Sequence, residues 1–133
     1  MNKSKILIAD NDEHIVSLLK SELAKEGYEI ITAYDGAEAL KKIRTELPDL
    51  IILDLLMPKI DGYRLCLYLR EDPTFADIPI IAVSGMAIED EERIKKLKAN
   101  YFLAKTRLEN LISNITLAIN TLLFKYDKAS ELT

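Results

Sequence analysis

Short apolar runs alternate with longer amphipathic stretches five times along the chain. Each run has the length and β-branched composition of a strand, whereas the stretches between them repeat apolar residues at helical spacing. This alternation is typical of α/β folds, in which helices connect the parallel strands of one sheet. The first, third and fourth runs are almost entirely apolar, which predicts central strands covered by helices on both faces. The predicted strands are 5–9, 28–33, 50–53, 80–83 and 101–104.

Five helices are predicted between and after these strands. Gly27 follows the first helix as a C-terminal cap, and an Asp-Gly pair opens both the second and the third. In the fourth helix acidic residues precede basic ones, an order that complements the helix dipole. A single domain over 1–126 is expected, followed by a short frayed tail at 127–133. The predicted helices are 13–26, 36 to the turn at Pro48, 62 to near Asp72, 89–98 and 108–125.

Composition and charge exclude several classes of protein. The 133 residues carry 18 Lys and Arg against 22 Asp and Glu, a net charge of −4, so no basic nucleic-acid-binding face is expected. One cysteine, Cys66, and one histidine, His14, exclude an internal disulfide and a Cys/His metal site. No apolar run approaches the roughly 18 to 20 residues that span a bilayer, and no signal-peptide core is present. We therefore expect a cytoplasmic protein that contacts neither membrane nor nucleic acid.

The carboxyl ends of the predicted strands carry the candidate chemistry of the chain. In an open α/β sheet, ligands collect beyond those ends, so polar residues that follow different strands are expected to converge there. Carboxylate and amide oxygens suit Mg²⁺. An aspartate beside such an ion can act as a nucleophile toward phosphorus, and a lysine can neutralise the charge that results. The residues at these ends are Asp10, Asn11, Asp54, Ser84 and Lys105.

Four segments together resemble the receiver domain of two-component response regulators. They are Ile6–Ile15, Leu53–Gly62, Ala82–Gly85 and Phe102–Lys105, and the pairs Met57-Pro58 and Asp61-Gly62 are the most distinctive part. The likeness covers about residues 5–125, nearly the whole chain. It implies a CheY-like, flavodoxin-like fold, which is a doubly wound, five-stranded parallel sheet with five helices.

The resemblance also implies a phosphoacceptor site. Asp54 matches the aspartate that accepts a phosphoryl group from a histidine kinase or phosphotransfer protein. Asp10 and Asn11 occupy the acidic-pair positions that hold Mg²⁺, and Asp54 and the backbone carbonyl of Leu56 are the further ligands. The implied activity is self-phosphorylation and dephosphorylation of a signalling domain, with no turnover of a separate substrate.

Three more residues receive roles from the same resemblance. Ser84 and Lys105 match the hydroxyl and the ammonium that contact the phosphoryl oxygens, and with Asp54 they form the implied catalytic set. Phe102 matches the aromatic switch that moves inward when the Ser84 hydroxyl is engaged. The implied output surface is formed by the fourth helix, fifth strand and fifth helix. It would act on a downstream protein in trans or through a homodimer.

The chain departs from the family pattern at three positions. Asn11 stands where a second carboxylate is usual, so weaker Mg²⁺ binding is expected, while the neighbouring Asp12 is expected to cap the first helix. Thr106 follows Lys105 in place of a cis proline, and a trans bond is expected because a non-proline cis bond costs about 2.5 to 4 kcal/mol. Lys98 replaces a common glycine, so the turn there must avoid a positive φ or adopt it at some cost.

Three alternative functions use the same fold. A degenerate receiver, which binds partners without phosphorylation, is favoured by Asn11 and Thr106. A phosphatase of the haloacid-dehalogenase type shares the aspartate, metal, hydroxyl and lysine, but it usually has a second aspartate where this chain has Leu56. A flavodoxin-like cofactor binder is disfavoured because no Ser/Thr/Gly-rich phosphate loop follows the first strand.

Overall fold

The computed structural model describes residues 3–85, 91–105 and 107–131, and in this part of the chain five strands alternate with five helices. The alternation confirms the predicted α/β class, since each amphipathic stretch between apolar runs forms a helix. The strands are β1 Lys5–Ala9, β2 Glu29–Ala33, β3 Leu50–Asp54, β4 Ile80–Ser84 and β5 Tyr101–Ala104. The helices are α1 Glu13–Lys25, α2 Gly36–Glu46, α3 Gly62–Glu71, α4 Glu91–Lys96 and α5 Leu108–Glu131.

The strands form one parallel sheet in the order β2-β1-β3-β4-β5. The three apolar strands β1, β3 and β4 are therefore the central ones, as the sequence predicts. Successive side chains of a strand point to opposite faces, so Leu7 and Ile51 pack on one face while Ile6 and Ile8 pack on the other. Helices α2 and α3 cover the first face, and α1 and α5 cover the second. Strand order reverses between β1 and β3, which places the expected binding crevice at their carboxyl ends.

Aspartates begin three of the helices. Asp12 accepts hydrogen bonds from the backbone N–H groups of His14 and Ile15, so the predicted capping of α1 is confirmed. Asp35 and Asp61 cap α2 and α3 in the same way. These caps fix where each connection from a strand enters its helix.

The C-terminal part of the chain differs from the sequence prediction. Helix α5 continues to Glu131, whereas the prediction ended it near Lys125 and treated 127–133 as a frayed tail. That boundary was wrong because neither glycine nor proline lies between 125 and 131 to end the helix. Helix α4 ends at Lys96, and positions 89 and 90 of its predicted range lie outside the described residues. Across the part of the chain described, no helix combines the length and apolarity needed to cross a membrane.

Lys98 adopts a left-handed conformation, with φ of 52°, in the turn before β5. Of the two conformations expected for a residue that replaces glycine, Lys98 therefore adopts the positive φ, which is the less favourable one. The turn is held by Arg70 at the end of α3, whose Nε donates to the Lys98 carbonyl at 2.9 Å. The same guanidinium donates to the carbonyls of Ala76 and Ile78, so one side chain joins the turns that lead into β4 and β5.

Candidate functional site

Three polar side chains are buried at the carboxyl edge of the sheet. Asp10 follows β1, Asp54 ends β3 and Ser84 ends β4, with exposed fractions of 4%, 3% and 3%. Among the described residues, these are the only polar or charged residues that are buried. Aspartate is rarely buried unless it is paired, so this edge is the place where a functional role is expected.

Lys105 lies between the two buried carboxylates. Its Nζ is 2.7 Å from Asp10 Oδ2 and 3.2 Å from Asp54 Oδ2. The backbone N–H of Lys105 donates to the Ser84 carbonyl at 2.7 Å, which fixes the start of the segment after β5 against the end of β4. The predicted convergence of Asp10, Asp54, Ser84 and Lys105 is therefore present in the structure.

Backbone N–H groups orient the two carboxylates. Asp10 Oδ1 accepts from the N–H of Asp12 at 2.9 Å, and Asp54 Oδ1 accepts from the N–H of Leu56 at 3.0 Å. In each case the donor lies two residues after the aspartate, in the turn that leaves the strand. The Oδ1 atoms are thus held by the backbone, and both Oδ2 atoms face the same ammonium.

Burial and charge act on this cluster together. Burial raises the pKa of Asp54, the nearby charge of Asp10 raises it further, and the Leu56 N–H and Lys105 oppose these effects. Burial alone would lower the pKa of Lys105, but the hydrogen bonds and charges of Asp10 and Asp54 outweigh it, and the pKa is raised. Two carboxylates therefore share one ammonium, which leaves a single negative charge at the edge of the sheet.

The donor set fits a divalent cation. Both Oδ2 atoms approach one cation, the Lys105 ammonium, so the two carboxylates already converge on a common point. Mg²⁺ commonly binds one or two carboxylates and completes its shell with water and phosphate oxygens. Asn11, the third predicted ligand, is exposed directly after Asp10, and Leu56 follows the β3 turn with an exposed side chain. Over the described residues, no three His, Cys, Asp or Glu side chains form a group that could hold a metal ion.

Two glycines are required by the close packing of the turn after Asp54, a requirement that the sequence motif did not indicate. A Cβ on Gly62 would collide with the Asp54 carbonyl oxygen, and the Gly62 N–H donates to the Leu55 carbonyl at 3.0 Å. A Cβ on Gly36 would collide with the Ile60 carbonyl oxygen in the same turn. The sequence marks both Asp-Gly pairs as helix starts, and Asp61-Gly62 also belongs to the motif that resembles receiver domains. They also allow the backbone to close tightly around the candidate nucleophile.

An ion pair across this turn was not predicted. Lys59, which has a φ of 68°, places its Nζ 3.3 Å from Asp35 Oδ2. The Glu38 N–H, and then Lys59, lower the pKa of Asp35 in spite of some desolvation. The start of α2 is thereby joined to the turn that follows Asp54. The contact joins residues that are far apart in the sequence, so no local pattern predicts it. The Asp-Gly pair that begins both α2 and α3 is the feature that the two segments share.

The predicted switch residues occupy adjoining strands. Phe102 is half-buried on β5, where it packs against the core beneath α2 and α3, and its Cα is in register with Ala82 of β4. Ser84 is in register with Ala104. The inward movement of Phe102 stays a prediction. Thr106, with its expected trans bond, lies outside the described residues.

Comparison with known proteins identifies the family. The family model for the response regulator receiver domain matches residues 6–116. The alkaline phosphatase synthesis transcriptional regulatory protein PhoP of Bacillus subtilis is 48% identical over 97 residues, which cover 73% of this chain and 38% of that protein. The probable transcriptional regulator ycf27 of Porphyridium aerugineum is 36% identical over 132 residues, covering 98% of this chain and 52% of that protein. The chain thus spans about half or less of the length of these relatives.

Solved structures agree with this result. The crystal structure of the phosphorylated cyanobacterial phytochrome response regulator RcpA has a TM-score of 0.80 at 28% identity, covering 92% of this chain and 95% of that chain. The chemotaxis response regulator CheY4 of Vibrio cholerae has a TM-score of 0.76 at 28% identity, covering 86% and 98%. The chain belongs to the family of response regulator receiver domains of two-component signalling systems. Its fold is the CheY-like one that the sequence predicted.

Proposed function

We propose that this receiver domain accepts a phosphoryl group on Asp54, with Mg²⁺ held by Asp10, Asn11, Asp54 and the backbone carbonyl of Leu56. The observation that carries the proposal is the buried cluster in which Lys105 Nζ lies 3.2 Å from Asp54 Oδ2 and 2.7 Å from Asp10 Oδ2. A buried excess of negative charge is costly for folding alone, and receiver domains generally bind Mg²⁺. The arrangement therefore favours a site made to bind added cations and a phosphoryl group.

The chemistry follows from the positions of these groups. A carboxylate oxygen of Asp54 attacks phosphorus, the bond from phosphorus to the donor breaks, and the electron pair leaves with the donor group. The Leu56 N–H holds the other oxygen, so one oxygen of Asp54 is directed toward the reacting side. Lys105 neutralises the phosphoryl oxygens, and the Ser84 hydroxyl is proposed to contact them. Mg²⁺, when bound, supplies further positive charge to those oxygens.

The donor and the output belong to the same proposal. Receiver domains interact with histidine kinases or phosphotransfer proteins and with downstream effectors. For this chain we propose such a donor, a switch through Ser84 and Phe102, and output by the α4, β5 and α5 face to a protein in trans or a second copy. The phosphorylated state of RcpA, a structural neighbour, supports the assignment. A cytoplasmic site of action is also proposed, because the buried free thiol of Cys66 suits a reducing compartment.

A second candidate function has one observation in its favour. Asn11 stands where a second acid would hold the metal, and a receiver that binds Mg²⁺ weakly could act as an interaction module without phosphorylation. In that case the ion pairs of Lys105 with Asp10 and Asp54 would only stabilise the fold. The two functions differ in whether Asp54 reacts.

The test is direct phosphorylation. The protein is incubated with acetyl phosphate and Mg²⁺, and intact mass spectrometry is expected to show the addition of one phosphate. Asp54→Asn removes the nucleophile and is expected to abolish the adduct. Asp49→Asn is the matched control, because Asp49 precedes the same strand at its amino end and asparagine can still accept the Lys5 N–H. If the wild type forms no adduct, the proposal is overturned, and the interaction module that acts without phosphorylation becomes the favoured function.

A further inference from the structure

Lys105 contacts Asp10 more closely than it contacts the candidate nucleophile. The distance from Nζ to Asp10 Oδ2 is 2.7 Å, against 3.2 Å to Asp54 Oδ2. The other oxygen of Asp10 is held by the Asp12 N–H at 2.9 Å. Both oxygens of Asp10 therefore have a partner within the protein.

Because position 11 is an asparagine, the contact between Lys105 and Asp10 affects metal binding. With a neutral amide at position 11, Asp10 is the one carboxylate of the metal site besides the nucleophile. A metal ion that binds beside Asp54 must then share Asp10 Oδ2 with the ammonium of Lys105, and two cations at one oxygen repel each other. A second carboxylate at position 11 would give the metal an acid that Lys105 does not hold.

A phosphoryl group on Asp54 changes this competition. It replaces the single negative charge of the Asp54 carboxylate with the charge of about −1.5 to −2 that a phosphoryl group carries, and it places three acceptor oxygens next to Lys105. The ammonium has a stronger partner there than in Asp10, so Asp10 Oδ2 becomes available to the metal. Charge balance agrees, since the resting site holds a single excess negative charge and the phosphorylated site holds enough to match both cations.

We propose that Lys105 and the divalent metal compete for Asp10, and that Asn11 makes metal binding conditional on the phosphoryl group. The inference rests on the proposed function, whose metal site and phosphoacceptor it uses. Coupling of this kind is reciprocal, so the metal raises the affinity for the phosphoryl group by the same factor. The resting domain then binds Mg²⁺ weakly, and the adduct binds it tightly.

The test measures Mg²⁺ affinity by isothermal titration calorimetry, with and without saturating beryllium fluoride as the phosphoryl analogue. In the wild type, the dissociation constant is expected to fall by at least about tenfold when beryllium fluoride is present. In Asn11→Asp, the resting affinity is expected to rise about tenfold and the gain from beryllium fluoride to shrink. Asn114→Asp adds the same charge on an exposed position of α5 and controls for net charge.

A second variant tests the competition without the analogue. Lys105→Met removes the competing ammonium and is expected to raise the resting Mg²⁺ affinity about tenfold. Lys59→Met removes a lysine that pairs with Asp35 and is expected to change the affinity much less. Equal resting affinities in the wild type and Lys105→Met overturn the inference, as does an equal gain from beryllium fluoride in the wild type and Asn11→Asp.

Fluorine-19 NMR separates this inference from the proposed function. Signals of a beryllium fluoride adduct that disappear in Asp54→Asn show that Asp54 is a competent phosphoacceptor. If no adduct forms at saturating Mg²⁺, the proposed function fails. The comparison of Lys105→Met with the wild type still decides whether lysine and metal compete for Asp10.

Discussion

The two edges of the sheet use the same residue types in opposite ways. At the amino edge, Lys5 pairs with Glu46 at 3.3 Å, and both side chains are more than a third exposed. At the carboxyl edge, Lys105 pairs with Asp10 and Asp54, which are almost fully buried. An exposed pair contributes little to stability because water and salt screen it, whereas buried charges must be compensated. Burial and charge imbalance therefore distinguish the edge that holds the candidate site from the opposite edge.

Left-handed backbone occurs at both edges, at Lys59 in the turn after Asp54 and in two turns at the amino edge. Leu47 and Lys98 have φ values of 45° and 52° in the turns before β3 and β5. Left-handed backbone is unfavourable for residues with a Cβ, and neither position belongs to the candidate site. Strain at this edge is thus a cost of making short turns into the strands, and it can be relieved without touching the chemistry.

The largest expected effect comes from breaking the buried ion pairs. Lys105→Met leaves two buried carboxylates without a cation, and the free energy of unfolding is expected to fall by about 3 kcal/mol at pH 7. Urea unfolding followed by circular dichroism measures the change. Lys5→Met, the control at the amino edge, is expected to cost less than about 1 kcal/mol. Equal losses in the two variants would contradict the contrast between the edges.

The next largest effect is the pH dependence of stability, which tests the excess negative charge at the carboxyl edge. Burial, together with the charge of Asp10, raises the pKa of Asp54 above its unfolded value. A raised folded pKa means that the stability due to this group is fully present below about pH 4 and is lost as the pH rises through the folded pKa. Asparagine does not titrate, so Asp54→Asn is expected to be more stable than the wild type at pH 7, by on the order of 1 kcal/mol. The advantage should disappear below about pH 4.

Chemical unfolding over a series of pH values measures this difference. Asp49→Asn is the control, since the exposed Asp49 carboxylate lies at the opposite edge. A wild type that is more stable than Asp54→Asn at pH 7 would show that Lys105 overcompensates the burial of Asp54. The excess negative charge at this edge would then carry no net cost for folding.

The smallest effect concerns the strained amino edge. Leu47→Gly is expected to stabilise the protein by up to about 1 kcal/mol, because glycine adopts a positive φ without steric cost. Little burial is lost, since the Leu47 side chain is 54% exposed. Thermal unfolding measures the gain, and phosphorylation of Asp54 is expected to remain unchanged. A loss of stability would mean that the exposed leucine makes contacts worth more than the strain.

Much of the fold and part of the candidate site could be predicted from the chain. Parallel strands place all their carboxyl ends at one edge, so the apolar runs before Asp10, Asp54 and Ser84 were enough to bring those residues together. Aspartates before helical stretches likewise predicted the caps, which depend on short-range hydrogen bonds. The end of helix α5 was less predictable, because no glycine or proline near residue 125 marks a helix end in the sequence.

The sequence by itself determined which residues meet, because strand periodicity, apolar burial and parallel pairing are local or topological properties. Only the tertiary structure decided how they meet. The 2.7 Å contact of Lys105 with Asp10 and the approach of Gly62 to the Asp54 carbonyl depend on turns from distant segments that pack within a few ångströms. Such distances arise from the packing of the whole domain, and no pattern within one segment encodes them. At this site they set the partners of Asp10, on which the proposed competition between lysine and metal depends.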